Sequence, residues 1–340
     1  MKLFISAKSD IAKLLGFAGI PEIIIKKQSG NKYLILMYHR ILPKDQVKPW
    51  IQAGMYVYPH TFEMQVLYLK KHLNVISFSE LHDMIINSIP IKKDKPFCII
   101  TFDDGWCDFY KYAYPILSKH GIPATVFLPT NYIGTGKIFW TDKIAKLLVT
   151  TKQDHKTVNF TGNKIMRNLL TRDMHAEERI ENAISFLKNL PDNEIDEIIK
   201  EIEKYFCIES VPAERAFLDW DEIRGMAESG VVTYGSHTDG HQILVHLEEN
   251  EIRKDLHESM DKLTSKKIVD PSFIPFCYPN GSYDERVARI VREVGFHAAV
   301  TTEKGWNLLN EQGFNLKRIP IHQDISSSKD MFRCIIANIL

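Results

Sequence analysis

The chain has no Cys-x-x-Cys pair, and its five cysteines (Cys98, Cys107, Cys207, Cys277 and Cys334) are an odd number. That argues against both a thiolate zinc module and a disulfide framework, so reduced thiols in a cytoplasmic setting are expected. Net charge is missing too: 43 basic residues balance 43 acidic ones, and nothing suggests a sequence-independent phosphate-binding surface. Nucleic acid is not expected as a partner. No apolar stretch is long enough to span a bilayer. Near the N-terminus, Lys8, Ser9, Asp10 and Lys13 interrupt the apolar residues, which the core of a signal peptide does not tolerate. The sequence reads as neither membrane-spanning nor secreted. Internal repeats and low-complexity tracts are also absent.

What is present is an alternation of apolar runs with helical stripes. An α/β barrel commonly takes about 250 residues, so one barrel plus an insertion accounts for 340. The chain is organised around Phe97-Cys98-Ile99-Ile100, an apolar run suited to a strand buried on both faces, which continues as Thr101-Phe102-Asp103-Asp104-Gly105. Adjacent aspartates on a strand point to opposite faces and repel if brought together. Both can serve one site only where Gly105 lets the backbone turn and a cation absorbs the charge.

Other strands end in the same way. Tyr33 to Tyr38 runs into His39 and Arg40, and Val231 to Ser236 into His237-Thr238-Asp239-Gly240-His241. Further strands fit 74–77, 124–128, 273–278, 296–301 and 316–321. Helical stripes separate them, for example Phe62, Val66, Leu69 and Leu73, or Val287, Ile290, Val291 and Val294. Asp219 with Glu222, and Ser282 with Glu285, have capping-box spacing. From 137 to 215 the pattern changes. Two stripes (Ile180, Ile184, Leu187, Leu190; then Ile195, Ile198, Ile199, Ile202, Phe206) flank Pro191 and predict an inserted helical subdomain. Residues 1–30 are weakly amphipathic through Ile11, Leu14, Leu15 and Ile23 to Ile25. Docking on the barrel is expected, the alternative being weak contact with a membrane surface. The organisation expected is therefore an N-terminal segment 1–30, a barrel from 31–136 and 216–340, and an insertion 137–215.

Asp104, His237 and His241 offer one carboxylate and two imidazoles, a set that suits a catalytic divalent zinc site with a position left open. The His-x-x-x-His spacing brings both rings to one side if the segment after Gly235 turns helically. Trp106 and Cys107 read as packing residues.

On Thr101 to Gly105, Ser236 to His241 and Phe276-Cys277-Tyr278-Pro279-Asn280-Gly281, the sequence resembles the polysaccharide deacetylases, carbohydrate esterase family 4, which share the NodB homology domain. The resemblance implies a distorted (β/α)7 barrel with Asp104, His237 and His241 as metal ligands and Asp103 as catalytic base. It also implies the Tyr278 backbone N–H as an oxyanion donor. The general acid is either His39, in Leu36-Met37-Tyr38-His39-Arg40, or His322, in Ile319-Pro320-Ile321-His322. His39 is preferred, because that arrangement resembles the circularly permuted exopolysaccharide branch. The family's arginine beside the base falls in a stretch that reads Phe-Cys-Tyr-Pro here, so Asp103 has no identified partner. The activity implied is removal of N-acetyl groups from an amino sugar in a polysaccharide or glycan precursor, with Zn2+ as the cofactor and an N-acetylated carbohydrate as partner. The alternatives are another amide hydrolase on the same scaffold, acting on formyl groups or cyclic amides, and a non-catalytic glycan-binding module.

Overall fold

A strand buried along its whole length, such as Phe97–Phe102, needs hydrogen-bonding neighbours on both edges and side-chain cover on both faces, and a closed barrel supplies them. The computed structural model describes residues 2–87, 94–150, 175–205, 215–309 and 313–340; Phe206 and Cys207 lie outside these. In chain order the strands are β1 (Lys32–Tyr38), β2 (Arg40–Ile41), β3 (Tyr56–Val57), β4 (Asn74–Val75), β5 (Phe97–Phe102), β6 (Ala124–Leu128), β7 (Val232–Ser236), β8 (Pro275–Cys277), β9 (Ala298–Lys304), β10 (Asn307–Leu308) and β11 (Leu316–Pro320). Parallel pairing runs β1, β11, β9, β8, β7, β6, β5. β5 then pairs back onto β1, from Tyr33 opposite Phe97 to Tyr38 opposite Phe102, which closes a barrel of seven strands. This is the (β/α)7 architecture expected. β4 extends the start of β5, β10 lies antiparallel beside the start of β1, and β2 pairs with β3 separately. Gly235 is required where β7 passes β8: a Cβ there would stand 2.5 Å from the Pro275 carbonyl oxygen and 2.7 Å from the Phe127 ring.

The helices are α1 (Lys2–Phe17), α2 (Ile20–Lys27), α3 (Pro59–His72), α4 (Phe78–Ile86), α5 (Tyr114–His120), α6 (Trp140–Thr150), α7 (Ala176–Leu187), α8 (Asp192–Tyr205), α9 (Trp220–Glu228), α10 (Glu249–Ser265), α11 (Glu285–Val294), α12 (Gln323–Ser326) and α13 (Lys329–Ile336). The Asp219 capping box opens α9 as read from sequence. At α11 the cap differs. The helix begins at Glu285, so Asp284 rather than Ser282 immediately precedes it, and the Asp284 carboxylate accepts the Val287 N–H at 2.7 Å.

The chain divides into two compact units, one of Met1–Pro43, Gly54–Thr135 and Phe217–Leu340, the other of Lys44–Ala53 and Gly136–Ala216. The second is held by α6, α7 and α8, whose stripes bring together Ile144, Leu148, Ile180, Ile184, Leu187, Ile195, Ile199 and Ile202, with Trp50 packed against them. Within the first unit, α1 and α2 present two faces. Ala12 and Leu15 pack with Met331 and Cys334 of α13, and Pro21 and Ile25 are buried. Ile11, Leu14, Phe17, Ile20 and Ile23 are exposed. Among the described residues no helix is long and apolar enough to cross a membrane.

Candidate active site

Because the barrel strands are parallel, the residues that follow β1, β5, β7, β8 and β11 gather at one rim. At β5 the Asp103 N–H donates to the Tyr38 carbonyl (3.0 Å), extending the β1–β5 ladder by one residue. The chain then turns sharply. Gly105 adopts φ 64°, as its lack of a Cβ allows, and Asp104 shares the left-handed conformation at φ 73°. A left-handed non-glycine residue costs about 1–3 kcal/mol and persists only where its surroundings over-determine it. Consecutive left-handed residues let two adjacent carboxylates serve the same mouth.

The helical turn after Gly235 that would bring both rings to one side is not formed. The segment from His237 to His241 is a loop in which Thr238 (φ 66°) and His241 (φ 57°) are left-handed, and this brings the two imidazoles to 4.8 Å between centroids. Asp104 Oδ1 faces both rings, 3.4 Å from His237 Nε2 and 3.3 Å from His241 Nε2. His237 Nδ1 lies 2.7 Å from the Cys277 carbonyl oxygen, which can only accept, so Nδ1 carries the hydrogen. With Nδ1 protonated, neutral His237 turns the bare lone pair of Nε2 toward a carboxylate oxygen. Such an arrangement needs a proton or cation between the two, and it is the way metal-ligating histidines are oriented. Burial alone would push the Asp104 carboxyl up, but the two imidazoles hold it well below the usual carboxylate range.

A second donor group, Asp103, His237 and Cys277, also converges. It is the poorer cation site. Burial pushes the Cys277 thiol up, away from the thiolate a metal needs. Both Asp103 oxygens are already held by the Arg318 guanidinium, Nη1 to Oδ1 at 2.6 Å and Nη2 to Oδ2 at 2.8 Å.

Arg318 is a residue that sequence reasoning missed. It sits on β11, fully buried, and also donates to the Thr101 hydroxyl and the Thr301 carbonyl. The available signal was an arginine inside the otherwise strand-like Leu316 to Ile321, since a buried arginine needs a carboxylate. Burial would raise the Asp103 pKa, but Arg318 brings it below the ordinary value.

His39, just beyond β1, places Nε2 3.9 Å from Asp103 Oδ2 with its side chain 19% exposed. His322 N-caps α12, and its Nδ1 lies 3.2 Å from Asp324. The Tyr278 N–H donates to the Val300 carbonyl over a long 3.3 Å.

The histidine loop is braced from α10. Asp255 accepts the N–H groups of Asp239 (2.9 Å) and Gly240 (2.7 Å), and Lys262 donates to Asp239 at 2.6 Å. Burial pushes the Asp255 carboxyl up to about 6, against about 3.9 in an unfolded chain. The folded state thus holds this proton more tightly. Its contribution is fully present below about pH 4 and is lost as pH rises through about 6. Urea unfolding between pH 4 and 7 is expected to show wild type losing about 2–3 kcal/mol relative to Asp255→Asn. Parallel stability curves would remove the perturbed carboxyl from the account.

Residues 91–299, more than half of the chain, match the family model described as polysaccharide deacetylase. The poly-beta-1,6-N-acetyl-D-glucosamine N-deacetylase of Staphylococcus epidermidis is 27% identical over 219 residues, covering 60% of this chain and 72% of that protein. The protein of the same name from Staphylococcus aureus is 31% identical over 128 residues, 35% of this chain and 43% of that protein. Among solved structures, IcaB from Ammonifex degensii superposes with a TM-score of 0.57 at 17% identity, covering 91% of this chain and 98% of that one. The Streptococcus pyogenes deacetylase PplD, solved in complex with acetate, gives 0.55 at 19% identity, covering 87% and 94%. At those identities the two structures establish a shared fold.

Proposed function

The chain belongs to the polysaccharide deacetylase family, and from that membership we propose that it is a metal-dependent hydrolase removing N-acetyl groups from an amino sugar of a polysaccharide. The observation that carries the metal-dependent part is the Asp104 oxygen facing two imidazole nitrogens, one of them on a ring whose other nitrogen donates to a main-chain carbonyl. Asp104, His237 and His241 would hold the ion, and zinc suits that donor set. Once bound there, a divalent ion supplies Lewis acidity, bringing the pKa of a water to about 7 and polarising the acetamide carbonyl.

The remaining work falls to the chain. Asp103 stays ionised against Arg318 and keeps lone pairs free of the guanidinium, so it would take the proton from the attacking water. The Tyr278 N–H would share its long bond to Val300 with the developing oxyanion. His39, beside Asp103 at the mouth, would protonate the leaving amine. The relatives' names make a β-1,6-linked N-acetylglucosamine oligosaccharide the first substrate to try.

Acetate release from that oligosaccharide, stopped by a chelator and restored by Zn2+, is the expected result. Turnover of formamides or cyclic amides, with no acetate from any N-acetylhexosamine, would overturn the reading. The assignment of the acid has its own test. An aryl acetate expels its leaving group without a proton, whereas an acetamide does not. His39→Ala is therefore expected to suppress acetamide hydrolysis about a hundredfold or more while sparing the aryl acetate. The same selective loss in His322→Ala, with His39→Ala near wild type, would transfer the role.

A further inference from the structure

Trp106, read from sequence as a packing residue, is only 3% exposed and makes a directed contact. Its indole N–H donates to Asp104 Oδ2 at 2.9 Å, while the other oxygen, Oδ1, faces the two histidine nitrogens. The carboxylate is thus engaged on both oxygens by different partners. The indole itself is clamped. The Arg40 guanidinium carbon lies 4.3 Å from its ring centroid, and the Phe217 ring stacks at 4.7 Å and 23°. Arg40 is anchored in turn: its Nε donates to Asp108 Oδ2 at 2.8 Å, and Asp108 Oδ1 accepts the Ile41 N–H at 2.9 Å. Next to Phe217, the Leu218 N–H donates to the Gly105 carbonyl at 2.8 Å, tying that residue to the Asp104–Gly105 turn.

The terminal torsion of an aspartate is soft and roughly two-fold, so an unrestrained Asp104 could swing or offer both oxygens. We infer that Trp106 is a positioning residue for Asp104: its indole N–H ties down Oδ2, so that Oδ1 alone is presented to a cation held with His237 and His241. This rests on the proposed ligand set. Partners of this kind, one step removed from the metal, typically change affinity by about 10–100-fold when lost.

The test uses metal-free protein titrated with Zn2+ against a chromophoric chelator. Trp106→Phe, which keeps an aromatic ring between Arg40 and Phe217 but has no N–H, is expected to weaken Zn2+ binding about 10–100-fold. The thermal midpoint of the metal-free protein should stay close to wild type. Phe217→Leu, which loosens the stack and keeps the N–H, should lose less Zn2+ affinity than the roughly 10-fold that marks removal of a partner of this kind. Wild-type affinity in Trp106→Phe, or an equal loss in Phe217→Leu, overturns the inference. His241→Ala separates this from failure of the ligand set: if that variant binds as wild type does, the site itself is elsewhere. Should Trp106→Phe not fold, wild-type protein carrying 15N-labelled indoles decides. An indole N–H resonance is expected to shift in proportion to Zn2+ added up to one equivalent, and no shift in any indole overturns the inference.

Discussion

Replacing His237 with alanine is expected to remove the bound metal and, with it, at least about a thousandfold of turnover. The magnitude follows from the several kcal/mol that a Lewis acid contributes to a developing oxyanion, at 1.36 kcal/mol per factor of ten. The geometry makes His237 the more consequential of the two histidines. It is buried, and its ring is fixed from behind by the Cys277 carbonyl, whereas the His241 side chain is 22% exposed. Metal content by elemental analysis and acetate release should therefore fall together in His237→Ala. Excess Zn2+ should recover more activity in His241→Ala, where Asp104 and the fixed His237 remain. Stoichiometric metal that survives the double replacement of His237 and His241 would place the site elsewhere and sink the proposed mechanism.

The second large effect separates the two aspartates. Asp103→Asn is expected to keep the metal and lose about 10²–10⁴ in turnover, the range for a missing acid–base group. Asparagine still offers Arg318 one acceptor oxygen, so part of the buried contact survives. Arg318→Gln should act differently, because it leaves a buried carboxylate without its cation, at a cost of about 3–5 kcal/mol in stability. The sign of the pH effect follows from the direction of the shift. Arg318 holds the Asp103 pKa below its unfolded value, so the stability from this pair is present above about pH 4 and is lost as pH falls through the lower, folded value. Without Arg318 the carboxyl titrates higher, and the acidic limb of the rate profile should move upward in pH. Equal loss of metal in Asp103→Asn and Asp104→Asn would undo the division of labour between ligand and base.

The convergence of Asp104, His237 and His241 in the candidate site was legible because each stands at or just beyond a strand tip. The β5 strand runs into Asp103-Asp104 and the β7 strand into His237, and parallel strands deliver such tip residues to one rim. What sequence could not give was the conformation between the tips. A spacing of four would set the two imidazoles on one side of a helical turn, but the Asp255 carboxylate and the left-handed Thr238 and His241 impose a loop instead. Arg318 and Trp106 stayed hidden for a related reason. Each contact is made by one long side chain that crosses to another strand or bends back on a turn, and no periodicity records where such a chain ends. The cap at Asp284 was missed by two residues because serine and aspartate both serve, and only the backbone decides which one stands immediately before the helix.

The bond between Asp103 and Arg318 joins residues 215 positions apart. During synthesis the carboxylate emerges from the ribosome long before the guanidinium that will hold it. A nascent chain that stops before residue 316 already carries His39, His237, His241 and both aspartates, and of the seven barrel strands it lacks β11, which lies between β1 and β9. Closure of the seven-stranded barrel and the pairing of Asp103 thus fall to one strand, the last of the seven to be synthesised.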